Sequence, residues 1–213
     1  MRPILFVLAG CLLASAAPKS HVVSFGKISS VKWYVGVSGN QTSELKIRPL
    51  FVDGRLKEYT LGPSHDITER LFVVQRAFRM NDSLPPEKIP QWRWQRGAWM
   101  LVDRVSGKIS PVNLAEYDSY YSTASWYRDY AAYCGISDDG KKLFAVVTQL
   151  GRRKPLLRKS LGEPQAGEMP DSECPPPAWE RPARVTFAVQ DQKFSYSVRG
   201  HAVDVIADDE DAE

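Results

Sequence analysis

The dipeptide Asp53-Gly54 lies between two strand-like runs, Glu44–Val52 and Arg55–Leu61, and no other feature constrains the fold of this chain as tightly. A two-residue type I′ turn needs positive φ at both central positions, which Asp and Gly supply at little steric cost, and its twist matches that of the strands it joins. The same grammar recurs along the chain. Val31–Val37 (VKWYVGV) is β-branched and aromatic and stops at Ser38-Gly39-Asn40, while Leu71–Met80 closes on Asn81-Asp82-Ser83. Trp99–Arg104 ends at Ser106-Gly107, and Leu143–Val147 follows the turn 137–142 (SDDGKK). These runs predict an all-β protein: an antiparallel sandwich or a small blade-like (propeller-like) sheet assembly, with a C-terminal β-hairpin.

Finer expectations follow from single residues. Pro49 has no N–H to give a ladder, which predicts an edge position for its strand. Trp92 and Trp94 alternate with Arg93 and Gln95, so both indoles fall on one face of a strand that Gly97 interrupts. The tyrosines between Tyr117 and Tyr133 suit either a strand or a short helix. The segment S-D-D-G-K-K-L (137–143) resembles the turn between inner and outer strands of β-propeller blades, and a run–acidic turn–run pattern at Leu71–Asp103 echoes the one at Tyr130–Val147. A closed propeller takes four to eight four-stranded blades. This length holds three or four at most, which favours the sandwich or an open assembly. Residues 163–182, dense in proline, glycine and acid, predict a linker between a main β domain (17–162) and a docked hairpin (183–206). In that hairpin Val185, Phe187 and Val189 alternate with polar or small residues, as do Phe194, Tyr196 and Val198, and Ala202–Ile206 predicts a further strand. The tail 207–213 is acidic and lacks a packing face.

The N-terminus carries an address. Arg2, an apolar run from Ile4 to Leu13 and the small-residue site Ala14-Ser15-Ala16 read as a secretory signal peptide over residues 1–16. The run is about half the roughly 20 residues a membrane-spanning helix requires. The expected location is secreted or periplasmic. Leu8-Ala9-Gly10-Cys11 resembles the lipobox of bacterial lipoproteins, which implies a lipid anchor at Cys11 as the second reading; the apolar run continuing through Leu12-Leu13 favours soluble export. A net charge of +3 is too small to point to nucleic acid. Removal of the signal leaves Cys134 and Cys174, an even pair that an oxidising compartment makes a disulfide candidate.

Motifs for catalysis are sparse. Ser64-His65-Asp66 contains the letters of a hydrolase triad, but contiguous residues cannot converge on one substrate atom. The chain has no Gly-x-Ser-x-Gly elbow, His-Glu-x-x-His helix, Cys-x-x-Cys pair or phosphate-cradling loop, so neither a cofactor nor a metal site is expected, and catalytic residues stay unassigned. Among carboxylates, Asp103, Glu116, Asp118 and Asp129 neighbour the aromatic-rich half, and a glycosidase would need two of them across a sugar. The basic run Arg152–Lys154 with Arg158-Lys159 suits a solvated, edge-protecting face or a contact with phosphate groups. The strongest lead is aromatic: Trp92, Trp94 and Trp126 with Arg93, Arg96 and Arg128, a combination suited to sugar rings or extended peptides. The expectation is therefore a non-catalytic binding protein for a polysaccharide or an extracytoplasmic protein. Its alternatives are a glycan-directed hydrolase and a structural partner in a cell-envelope complex.

Overall fold

The computed structural model describes residues 20–35, 41–83, 89–164, 174–189 and 192–198. The signal peptide, Cys11, the strand expected at 202–206, the acidic tail and residues 165–173 of the linker lie outside the described residues. The described chain is all-β, and no helix in it is long and apolar enough to cross a membrane.

The first sheet comprises β1 (Val23–Phe25), β2 (Ser29–Val35), β3 (Gln41–Val52), β4 (Arg55–Asp66), β5 (Leu71–Asn81), β6 (Trp92–Asp103) and β7 (Ile109–Pro111). Strands β2 to β6 form an antiparallel meander, and β6 returns to pair in parallel with β2 at Trp33 and Trp94. An odd number of alternating strands can close only through a parallel pair, so the meander forms a ring without a free long edge. One apolar cluster draws on every strand of the ring: Val31, Leu45 and Ile47, Tyr59 and Leu61, Ala77, and Trp94. A second, on the opposite faces of β3, β5 and β6, joins Leu50, Phe72, Val74, Met100 and Val102 beneath Val23, Phe25 and Ile109 of β1 and β7.

The Asp53-Gly54 turn joins β3 to β4 as expected, with φ of 53° and 72°. Pro49 corrects the edge prediction, because β3 has partners on both sides. It falls in the gap where β2 stops pairing at Ile47 and β1 begins at Leu50, so no ladder donor is needed at that position. Gly97 bends β6 without ending it. Gly97 and Ala98 oppose the single residue Arg76, a β-bulge, and a Cβ at Gly97 would stand 3.0 Å from the Arg76 Cβ.

A second sheet runs β11 (Leu157–Gly162), β10 (Leu143–Gln149), β9 (Tyr130–Ile136), β8 (Ser125–Tyr127). Every residue of β9 and β10 is buried, because each face of this sheet meets a neighbour. Ala131, Tyr133, Phe144 and Val146 pack on Val73 and Trp99 of the first sheet. Ala132, Cys134, Ala145 and Val147 pack on Val185, Phe187 and Val189. The latter belong to a third sheet, β12 (Ala178–Glu180), β13 (Arg184–Val189) and β14 (Gln192–Ser197), in which β12, inside the segment 163–182, adds a strand to the C-terminal hairpin. The second sheet thus packs one face on the first sheet and the other on the third, which fits a sandwich-like assembly. Cys134 and Cys174, both buried, are at bonding distance with a Cα separation of 6.3 Å, inside the usual disulfide range. Nearby, the Trp179 indole N–H donates to the Ser125 carbonyl at 3.1 Å, and the Ser125 hydroxyl donates to the Pro177 carbonyl.

Candidate ligand-binding surface

The alternation in β6 and the register with β5 place Trp92, Trp94 and Arg96 on one face, next to Asn81, Arg79 and Ala77 respectively. Arg79, which the sequence did not single out, binds the group together. Its guanidinium carbon lies 5.6 Å from the Trp92 ring centroid and 5.4 Å from that of Trp94, within cation–π range of both. The Trp92 indole is 58% exposed. Trp94 is half-buried, edge-on to Tyr59 at 5.1 Å, and its other contacts belong to the ring interior. The pair is thus graded: Trp94 is rooted in the core and Trp92 projects from it, with Arg79 spanning the two.

The other predicted residues divide. Arg93 points to the opposite face and pairs with Asp82 at 2.7 Å. Arg96 is buried, and its guanidinium donates to the Ser122 carbonyl at 2.7 Å and to the Thr123 hydroxyl at 2.8 Å while lying 5.5 Å from the Trp33 ring. It fastens the loop before β8 and is not at a rim. Trp126 and Arg128 belong to the second sheet. The Trp126 ring is edge-on to Trp99 at 5.3 Å and stacked with His65 at 6.2 Å, in the interface between sheets. Arg128 is exposed on the β8–β9 turn, with its carbonyl accepting from His65 Nε2 at 2.7 Å.

The carboxylates considered for acid–base work each hold structure. Asp103 accepts two bonds from Arg70 (3.0 and 2.8 Å), one from the Val105 N–H and one from the Ser106 hydroxyl, and the Arg70 guanidinium foremost holds its carboxyl well below the usual range. Glu116 is forked by Arg158, and Asp118 accepts from the Tyr120 N–H at 2.7 Å. Asp129 is 3% exposed; Oδ2 accepts from Gln149 at 2.8 Å, Oδ1 has no partner, and burial raises its pKa above the ordinary value. Another buried knot lies beside Arg96: Gln75 donates to the Gly97 carbonyl and, like the Trp99 indole, to the Tyr117 hydroxyl, whose pKa burial pushes up to about 12.

Clefts open on the first sheet. One of about 320 Å³ is lined by Phe78, Met100, Ile109 and Pro111 around the bulge, with the Glu58–Arg76 ion pair at its side. Another, about 540 Å³, lies between His21, Asp53, Arg55, Lys57 and Ser106. Neither is lined by two of the candidate carboxylates, and no group of three or more metal-ligating side chains occurs among the described residues. Comparison of the chain with family models, with curated proteins and with solved structures gives no match in any of the three.

Proposed function

We propose that the chain is a non-catalytic binding protein of the extracytoplasmic space that holds a polysaccharide against the Trp92 indole. The observation that carries this reading is the exposed Trp92 ring, fixed by Arg79, which is itself seated on the core residue Trp94. A flat ring held in place presents a hydrophobic face to the C–H side of a pyranose, and a neighbouring guanidinium supplies donors to its hydroxyls. The ion pairs and caps that occupy Asp103, Glu116 and Asp118 favour binding over hydrolysis. The paired cysteines accord with an oxidising location.

A second reading, a protein partner, draws on Met80 and Ile89, 42% and 79% exposed near the same end of the β5–β6 hairpin. Co-sedimentation with insoluble cell-wall polysaccharides, for the wild type and Trp92→Ala, tests the first reading. Retention of the wild type with loss in the variant supports it. Equal retention of both, or of neither, removes it; capture of a defined protein partner that depends on Ile89 and not on Trp92 would put the second in its place.

A further inference from the structure

The register of β9 against β10 pairs Tyr130 with Gln149, which sets the β8–β9 turn beside the turn from β10 to β11 at one end of the second sheet. The Leu150 N–H donates to the Asp129 carbonyl at 2.8 Å and locks the two turns together. Four cations stand on them, Arg128, Arg152, Arg153 and Lys154, all exposed. None forms an ion pair among the described residues, whereas Arg70, Arg76, Arg93, Arg104 and Arg158 each meet a carboxylate. The one acidic side chain in these turns, Asp129, is turned inward and buried; it acts on Arg128 and Arg152 from beneath and offsets the four positive charges only in part. A net positive charge is therefore concentrated on these two turns, with no surface carboxylate paired to it among the described residues. Arg128 also holds a φ of 53°, a conformation in which glycine is at ease and arginine is not.

We propose that this end of the second sheet docks a polyanionic polysaccharide through Arg128, Arg152, Arg153 and Lys154. Cations spread over two turns match the repeated charges of an extended polymer better than a single small anion. The aromatic neighbour favours a sugar: Arg128 lies 5.6 Å from the ring of Tyr127, which stacks on Trp179 at 5.5 Å. A lipid surface is disfavoured, because none of the exposed large apolar side chains lies on these turns. This surface is separate from the Trp92 platform, which belongs to the first sheet.

The test uses the full chain and labelled heparin as the probe, with affinity measured across a salt series. The wild type should bind and weaken as salt rises. Arg152→Ser/Arg153→Ser/Lys154→Ser should bind at least about tenfold more weakly at low salt, and its log–log salt slope should be shallower by about 2, at roughly 0.7 per lost ionic contact. Arg152→Lys/Arg153→Lys should keep most of the affinity, and Trp92→Ala should keep all of it. The proposal is overturned if the wild type does not bind heparin at low salt or if the triple serine variant binds as the wild type does. It is equally overturned if phosphatidylglycerol vesicles or duplex DNA bind more tightly than heparin.

Discussion

Breaking the Cys134–Cys174 link should remove a substantial share of the molecule's stability without dismantling its core. The bond closes a loop of 40 residues. A cross-link restricts the unfolded chain by about −2.1 − 1.5R ln n in entropy, which for this loop is about 4 kcal/mol at 25 °C. The third sheet does not depend on the bond alone, since Val185, Phe187 and Val189 bury against Ala132, Ala145 and Val147 whether or not the sulfurs are joined. Reduction therefore leaves a folded but weaker protein. The assay is urea unfolding followed by tryptophan fluorescence, comparing oxidised wild type, wild type in dithiothreitol, and Cys134→Ala/Cys174→Ala. With m near 2 kcal/mol per molar urea, the midpoint should fall by about 2 M on reduction, and m should rise as the unfolded chain expands. The alanine variant should fall slightly further, because it also loses the buried sulfurs. A shift below about 0.5 M, with the bond verified by mass in the starting protein, would refute the loop-entropy reasoning and leave packing alone to hold the third sheet.

Four further outcomes are expected. Arg96→Ala should destabilise by about 3 kcal/mol in the same unfolding assay, because it removes two charge-assisted bonds and leaves the buried Ser122 carbonyl without its donor. Gly97→Val should cost about 1–3 kcal/mol, since the added carbons meet Arg76 at 3.0 Å; Ala98→Val beside it, on an exposed position, should cost far less. Asp103, with its pKa depressed in the fold, contributes stability that is present above the unfolded carboxylate pKa of about 4 and is lost as pH falls below it, so Asp103→Asn should show a flatter acid limb in thermal melts from pH 7 to pH 2. Asp129 has the opposite sign: its folded pKa is raised, so the stability it contributes is full below the unfolded carboxylate pKa of about 4 and is lost as pH rises from there through the raised folded value. Asp129→Asn should therefore gain relative to wild type between pH 4 and pH 7, and a constant difference across that range would refute the assignment.

Sequence reasoning reached the local structure and stopped at the long-range pairings. Asp53-Gly54 identified its hairpin because turn conformation is decided by two residues. Leu143–Val147 was legible as a strand, whereas the tyrosines up to Tyr133 left strand and helix open; that both β9 and β10 are covered on both faces emerges only from the stacking of three sheets. Alternation assigned Trp92 and Trp94 to one face correctly. It did not show what lay beside them. Arg79 becomes their partner only through the β5–β6 register, and Trp33 meets Trp94 only through ring closure, a contact between segments far apart in the chain. Pro49 misled for the same reason, since its missing donor signals an absent partner at one position and not an unpaired strand. The six residues expected to form one surface are shared among an exposed ring (Trp92), its half-buried neighbour (Trp94), an opposite-face ion pair (Arg93), a buried anchor (Arg96) and the second sheet (Trp126, Arg128). Aromatic and arginine content in sequence is the same for a core, a brace and a binding face; burial alone separates them.

The proposed ligand platform is the Trp92 indole, and tryptophan fluorescence of the full chain titrated with soluble cell-wall glycans tests it most directly. Trp92 is exposed, so Trp92→Ala should cost no more than about 0.5 kcal/mol of stability while removing a saturable spectral change seen in the wild type. Arg79→Ala should weaken the same response by releasing the ring, whereas Arg128→Ala should not alter it for a neutral glycan. A wild-type response that persists undiminished in a folded Trp92→Ala protein, or the absence of any response across neutral glycans, would contradict the account.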